Sequence, residues 1–409
     1  MEKPKIRFES FEKRWESYRL SEYSSYRRGS FPQPYGNKEW YGGNNAMPFV
    51  QVVDVLENLR LVADTKQKIS VLAQPMSVFV PSDSVIVTLQ GSIGRVAITQ
   101  YDAYVDRTIL IFEDYISQTN KEFWAYTIRN KFEIESQKAP GGTIKTITKE
   151  ALSNFKVSIP NYSEQSAIGS LFRTLDNLLS SYKDNLANYQ SLKANMLSKM
   201  FPKAGQTVPE IRLDGFEGEW EVQTLKELAS FSKGNGYTKN DLVNFGKEII
   251  LYGRLYTNYQ TVISKVNTFV TTVKANTVIS KGGEVIVPSS GESAEDISRA
   301  SVVEKSGIIL GGDLNIIYPD RNKVNSIFLA LTISNGSQQK ELIKRAQGKS
   351  VVHLRNNDLE KVVLNYPSIE EQQAISSYFS NFDNLINSHQ EKISQLETLK
   401  KKLLQDMFI

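Results

Sequence analysis

The sequence predicts an α+β protein: two tandem mixed α/β domains separated by two long helices that form an antiparallel coiled coil, the whole pseudo-two-fold symmetric. Three observations carry this expectation. With 409 residues and 40% hydrophobic content, the chain is long enough for two ordinary cores. It repeats itself once, at a period near 205 residues. Each repeat ends in a long run whose apolar residues recur every three or four positions.

Two blocks show the repeat. Pro4, Ile6-Arg7, Phe11-Glu12 and Trp15 stand against Pro209, Ile211-Arg212, Phe216-Glu217 and Trp220, each 205 residues later, with Leu20 and Leu225 in step. Pro160, Glu164-Gln165, Ile168, Phe172, Asp176-Asn177-Leu178, Leu192-Lys193, Leu197 and Met200-Phe201 recur 207 residues later as Pro367, Glu371-Gln372, Ile375, Phe379, Asp383-Asn384-Leu385, Leu399-Lys400, Leu404 and Met407-Phe408. Two amphipathic helices can share apolar positions by chance, but not the Pro, Glu-Gln, Asp-Asn and Met-Phe matches in one register. Between the blocks the halves diverge, leaving a weak echo in Asp83 to Val87 against Gly283 to Val287, with Gly91 and Gly291 after them. Two similar frames hold two different middles.

Residues 163–200 read as one helix with an apolar stripe through Ile168, Leu171, Phe172, Leu175, Leu178, Leu179, Tyr182, Leu186, Tyr189, Leu192 and Met196. The second stripe runs Ile375, Tyr378, Phe379, Phe382, Leu385, Ile386, His389, Ile393, Leu396, Leu399 and Leu403. Asn161-Tyr162-Ser163-Glu164 and Ser368-Ile369-Glu370-Glu371 read as capping boxes. At about 1.5 Å per residue such a helix spans roughly 57 Å and needs a partner along its length. The short link Pro202 to Gln206 sets the second domain at the far end of the first helix, so the second helix has to run back antiparallel. The expected division is 1–160 first domain, 161–203 first long helix, 204–367 second domain and 368–409 second long helix. Strands are expected at Pro48 to Val53, Val85 to Leu89, Val96 to Ile98, Thr108 to Phe112, Ile249 to Tyr252, Glu284 to Val287 and Asn315 to Ile317, and helices at Asn120 to Ser136 and Val324 to Arg345.

Composition excludes several classes of function. Cysteine is absent and histidine occurs twice, at His353 and His389, so disulfides and Cys/His metal clusters are ruled out and no metal is expected. No stretch approaches the roughly 20 apolar residues that span a bilayer, and the amino terminus has no apolar run behind its charges. A cytoplasmic, membrane-free protein is expected. The charge of +4, from 49 basic and 45 acidic residues, is too small to identify a nucleic-acid binder by itself. Gly348-Lys349-Ser350 has the tail of a P-loop, but Ile343 stands where its first glycine is required. His389 sits in the helix stripe as a packed histidine rather than a catalytic base. Neither a methyltransferase motif beside a glycine-rich cofactor turn nor a carboxylate-lysine nuclease cluster stands out, so no catalytic residues are assigned.

The order of variable domain, repeated helix, variable domain and repeated helix, with the duplicated elements quoted above, resembles the specificity subunits of type I restriction-modification systems over the whole chain. The resemblance implies two target-recognition domains, each reading one half of an asymmetric, interrupted site in double-stranded DNA. It implies helices that set the spacing and dock two methyltransferase (M) subunits, with restriction (R) subunits joining through the complex. A non-catalytic chain that binds no cofactor follows, with S-adenosylmethionine in the methyltransferase and ATP and Mg in the restriction subunit. Two readers on such a rod would sit between one and two DNA turns apart at about 34 Å per turn. The rival is a two-headed coiled-coil scaffold that binds proteins and has no DNA specificity.

DNA-contact candidates are basic residues near expected loops, because Arg reads guanine bidentately and Lys holds phosphates. They are Arg27, Arg28, Lys38, Arg95, Arg107 and Lys145 in the first domain and Lys233, Arg254, Arg299, Arg345 and Lys349 in the second. For any one of them a solvated surface charge is the alternative. The run Tyr35 to Asn45 reads either as a mobile segment that orders against a groove or as a plain loop. Gly91-Ser92-Ile93-Gly94-Arg95 reads either as a phosphate-holding turn or as a tight hairpin. Asp176-Asn177 and Asp383-Asn384 gain nothing from helix propensity and are assigned to partner docking, with polar filler on an exposed face as the alternative.

Overall fold

The computed structural model describes residues 4–138, 152–348 and 351–409. The chain packs as two units, Met1–Asp184 with Gln390–Ile409, and Asn185–His389. Each unit therefore holds one domain, the beginning of the helix that follows it and the end of the other long helix.

In the first unit, β1 (Glu16–Arg19) pairs antiparallel with β10 (Lys156–Ile159) and ties the domain entrance to its exit. One sheet has the order β2-β9-β6-β7, from Ser24–Arg28, Ile109–Tyr115, Val85–Thr88 and Val96–Ile98. The other has the order β4-β3-β8-β5, from Gln67–Ile69, Met47–Val50, Ala103–Val105 and Val78–Val80. The β-branched run Val85-Ile86-Val87 is buried on both faces, as a central strand requires. Helix α1 (Lys121–Lys138) contributes Phe123, Trp124 and Ile128 to the core beside Tyr23 and Phe112.

The second unit repeats this plan. β11 (Glu221–Thr224) pairs with β23 (Val363–Tyr366). One sheet has the order β12-β21-β17-β19-β14, from Ala229–Lys233, Leu314–Pro319, Val285–Pro288, Ser301–Val303 and Val262–Ile263. The other has the order β15-β13-β20-β16, from Phe269–Val270, Lys247–Ile250, Ser306–Leu310 and Ile279–Lys281. A short pair, β18 (Ser290–Gly291) with β22 (Val352–His353), completes the unit. Register is repeated as well as order: Val85 opposes Phe112 as Val285 opposes Ile317, and the parallel pair of β3 with β8 recurs in β13 with β20. The expected helix from Val324 to Arg345 is broken into Ser326–Ile333 and Gly336–Arg345, with Gly336 at positive φ.

The repeated motif residues bind the frame. Arg7 donates to both oxygens of Glu164, each at 2.7 Å, and Trp15 Nε1 donates to the same carboxylate at 3.2 Å. Arg212 holds Glu371 in the same way, at 2.8 and 2.6 Å. Both carboxylates are fully desolvated, so each needs its bidentate arginine. The expected capping boxes are therefore half right. Asn161 and Ser368 do cap the Glu164 and Glu371 amides, but the glutamates turn to the arginines instead of reaching back. Gln165 accepts from the Asn120 amide and donates to Pro160, as Gln372 does with Asn325 and Pro367.

The long helices span Tyr162–Lys199 (38 residues) and Ile369–Met407 (39 residues). Their segments run antiparallel within each unit: Asp176 meets Lys400 and Lys183 meets Glu397 in the first, while Lys193 meets Asp383 and Tyr189 meets His389 in the second. Phe408 stacks among Phe123 and Phe172 in one core, and Phe201 among Trp220, Phe328 and Phe379 in the other. Not all of the expected stripe is core. Leu178, Leu385, Leu192 and Leu399 are 43%, 41%, 44% and 46% exposed, because a single antiparallel partner covers only one side of so broad a stripe.

Candidate nucleic-acid interface

Arg28 ends edge strand β2 opposite Leu110, and Lys233 ends β12 opposite Asn315, the same place in the repeated register. Both side chains are exposed, with no hydrogen bond or ion pair among the described residues. A glycine follows each for a steric reason. A Cβ on Gly29 would lie 2.3 Å from the carbonyl oxygens of Val105 and Asp106, and one on Gly234 would lie 1.9 Å from that of Gly311. The chain can turn off the sheet there only with glycine.

The turn joining β8 to β9 brings Arg107 over the ring of Tyr35 at 5.2 Å. The Tyr35 hydroxyl donates to Asp106 at 2.6 Å; burial first, and then this bond, push its pKa up and keep it a donor. Phe31 packs on Tyr35, Tyr41 and Phe49 with ring centres 5.1, 5.3 and 4.5 Å apart. Tyr35 and Tyr41 are thus packed on an aromatic cluster. Lys38 stands exposed on the single-turn helix Lys38–Trp40, capped by the Asn37 side chain. Arg28 and Arg107 therefore flank one turn, where Gly29 lies against the Val105 and Asp106 carbonyls, and Lys38 belongs to the segment that carries Tyr35 and Tyr41.

The other basic candidates have partners inside their units. Arg27 pairs with Glu113 at 2.6 Å, and Arg95 reaches Val55 O at 3.4 Å and Glu57 at 3.6 Å. Arg254 binds Asn267, Gln260 and the carbonyl of Lys265 at 3.1, 2.9 and 2.9 Å, closing a loop on itself. Arg299 lies over Tyr259 at 5.7 Å, and Arg345 pairs with Glu341 one turn earlier at 2.6 Å. Lys145 and Lys349 lie outside the described residues. The Gly91–Arg95 segment is a hairpin between β6 and β7. The Gly94 and Arg95 amides are taken by the Thr88 carbonyl and hydroxyl at 2.9 and 3.0 Å, and are not free to hold phosphate.

The docking candidates divide in two. Asp176 accepts from Lys400 and from the Tyr126 hydroxyl, and Asp383 accepts from Lys193, so neither carboxylate is filler on an exposed face. Burial lowers the Lys400 pKa, opposed by Asp176, while burial and then Asp176 push that of Tyr126 far up. Asn177 and Asn384 are exposed, each beside a half-exposed leucine, Leu178 or Leu385. Sequence reasoning had assigned those leucines to the core. Lys239, Lys247 and Phe245 are also exposed in the second unit.

Among the described residues, no group of three or more His, Cys, Asp or Glu is placed to hold a metal ion, and no helix is long and apolar enough to cross a membrane. The family model for the type I restriction modification DNA specificity domain matches residues 12–189 and 217–398. The type I restriction enzyme MjaVIII specificity subunit of Methanocaldococcus jannaschii is 21% identical over 291 residues, covering 68% of this chain and 67% of the relative. The crystal structure of a type I restriction-modification S subunit from M. genitalium shares 14% identity at a TM-score of 0.63 over 99% of both chains. A chain from a structure of type I R-M complex assembly and conformational transition shares 16% identity at a TM-score of 0.53, over 96% of this chain and 97% of the other. These structures share the fold, and the two family matches each take in one domain with its helix: the chain belongs to the type I restriction-modification DNA specificity family.

Proposed function

We propose that each domain reads one half of an asymmetric, interrupted site in double-stranded DNA, and that the chain has no catalytic site of its own. The observation that carries this reading is the coincidence of Arg28 and Lys233, two exposed cations at one register position of a duplicated frame whose surrounding loops differ. A repeated backbone with unlike edges suits one task performed on two different targets. Arg107 and Lys38 extend the first edge, Arg for base or phosphate contact and Lys for phosphate.

The long helices set the spacing between the half-sites and dock two methyltransferase subunits. Asn177-Leu178 and Asn384-Leu385 offer each the same small polar and apolar patch, while Asp176 and Asp383 act behind it by fixing the helix pair. Restriction subunits join through that complex. S-adenosylmethionine belongs to the methyltransferase, and ATP and Mg to the restriction subunit. A cytoplasmic complex with access to chromosomal DNA fits this assignment.

Methylation mapping in cells that express the chain with its cognate methyltransferase tests the reading. An interrupted motif with two unlike halves is expected. An active, assembled methyltransferase that marks no such motif would instead make the chain a protein-binding scaffold.

A further inference from the structure

Both units expose apolar side chains at one corner of their frames, beside lysines. In the second unit the tip Asn244-Phe245-Gly246 is pinned on both sides: Val243 donates to Phe269 O at 2.9 Å, and Lys247 pairs with Val270 in the sheet. A Cβ on Gly246 would lie 2.3 Å from Val270 O, so the tip sits hard against the next strand. Phe245 is 81% exposed, the most exposed large hydrophobic side chain among the described residues. The turn that follows β15 adds Val273, 49% exposed. Lys239, Lys247 and Lys274 lie on these same segments, Lys274 held to Asp241 at 2.6 Å.

The first unit has the same corner. Tyr41 bridges to Ile69 as Val243 does to Phe269, and Met47 opposes Ile69 as Glu248 opposes Phe269. Here the turn after β4 exposes Val71 and Leu72, at 53% and 57%. Ser70 holds that turn to the helix of Lys38, its amide donating to Trp40 O at 2.9 Å and its hydroxyl to Glu39 O at 2.6 Å. The two corners share no sequence, yet both present apolar side chains on a fixed tip flanked by cations. Water is a poor environment for such a tip and a polyanion with apolar base faces is a complementary one.

We propose that Phe245 in the second unit, and Val71 with Leu72 in the first, are wedges that enter a DNA groove and part a base step, while the flanking lysines hold phosphates. This rests on the reading of the domains as DNA readers. A wedge of this kind unstacks the step it enters and kinks the duplex, and pyrimidine–purine steps yield most easily. Each half-site therefore contains or adjoins such a step, and part of the selectivity comes from deformability rather than from base-edge hydrogen bonds.

The test uses the full chain assembled with its methyltransferase, and duplexes carrying the mapped recognition site with 2-aminopurine placed at successive positions. The wild-type complex raises the fluorescence at one step in each half-site. Phe245→Ser, which removes a side chain with little packing to lose, abolishes the rise in the half-site read by the second unit only. It weakens binding about tenfold or more while leaving the salt dependence unchanged, since no phosphate contact is lost. Val71→Ser with Leu72→Ser does the same to the other half-site only. A rise that survives Phe245→Ser comes from the base extruded by the methyltransferase, and with unchanged affinity it overturns the wedge. If the wild-type complex binds its mapped site no better than a scrambled duplex, the recognition reading falls and the wedge falls with it. If that preference is intact and Phe245→Ser behaves as wild type, the wedge alone is wrong.

Discussion

The frame and the edges of the two units follow opposite rules. In the frame, the main side-chain contacts are repeated: Arg7 on Glu164 and Arg212 on Glu371, Gln165 and Gln372 on equivalent amides, Lys400 on Asp176 and Lys193 on Asp383. At the edges only the backbone is repeated. Arg28-Gly29 and Lys233-Gly234 keep one register and one steric need for glycine, but Arg107 rests on Tyr35 in the first unit while Arg254 closes a loop in the second. Buried registers and desolvated ion pairs fix the fold tightly enough that exposed side chains are free to diverge.

The comparison predicts a graded set of effects. The largest is in the frame: Arg7→Ala and Arg212→Ala each strand a buried carboxylate, Glu164 or Glu371, and should each cost about 3–5 kcal/mol, read as losses of stability in denaturant. Clearly unequal costs would break the equivalence of the two frames. Next come the hinge glycines. Gly234→Ala and Gly29→Ala force a Cβ against backbone carbonyls and should cost about 1–3 kcal/mol each, Gly234→Ala the more because its approach is closer. Each should also weaken binding at its own half-site.

At the edges the effect moves from stability to binding. Arg28→Ala and Lys233→Ala should leave the melting temperature unchanged and reduce affinity at one half-site each. A base contact would cost about 1–3 kcal/mol with relaxed specificity, and a phosphate contact would lower the salt slope by about 1 without changing specificity. The smallest effect is expected at Arg345, whose partner is one helical turn away. Arg345→Ala should cost no more than about 0.5 kcal/mol and leave the methylated motif unchanged.

Much of the frame was legible in the sequence because its motif residues are the ones that touch. Glu-Gln, the Asp of Asp-Asn-Leu and Met-Phe recur since each meets a repeated partner, and the echo at Val85 to Val87 marks a strand buried on both faces. Less could be read where an outcome depends on partners distant in sequence. Nothing local shows that Glu164 turns to Arg7 instead of capping its own helix, or that Leu178 and Leu192 face outward from a stripe whose other residues are buried or half-buried. The edge was the least legible part. Arg254 and Arg28 both read as basic residues near expected loops, and only the fold shows one hydrogen-bonded into a loop and the other exposed. Phe245 has the signature of a core residue, and its place on a pinned tip follows from strand pairing alone.

The central claim is that one duplicated frame carries two independently acting readers. Exchange of residues 15–156 for the matching segment of another family member, followed by methylation mapping of the assembled complex, tests it most directly. One half of an interrupted motif should change while the other half stays as it was. Alteration of both halves together, or of neither, in an active complex would contradict the claim.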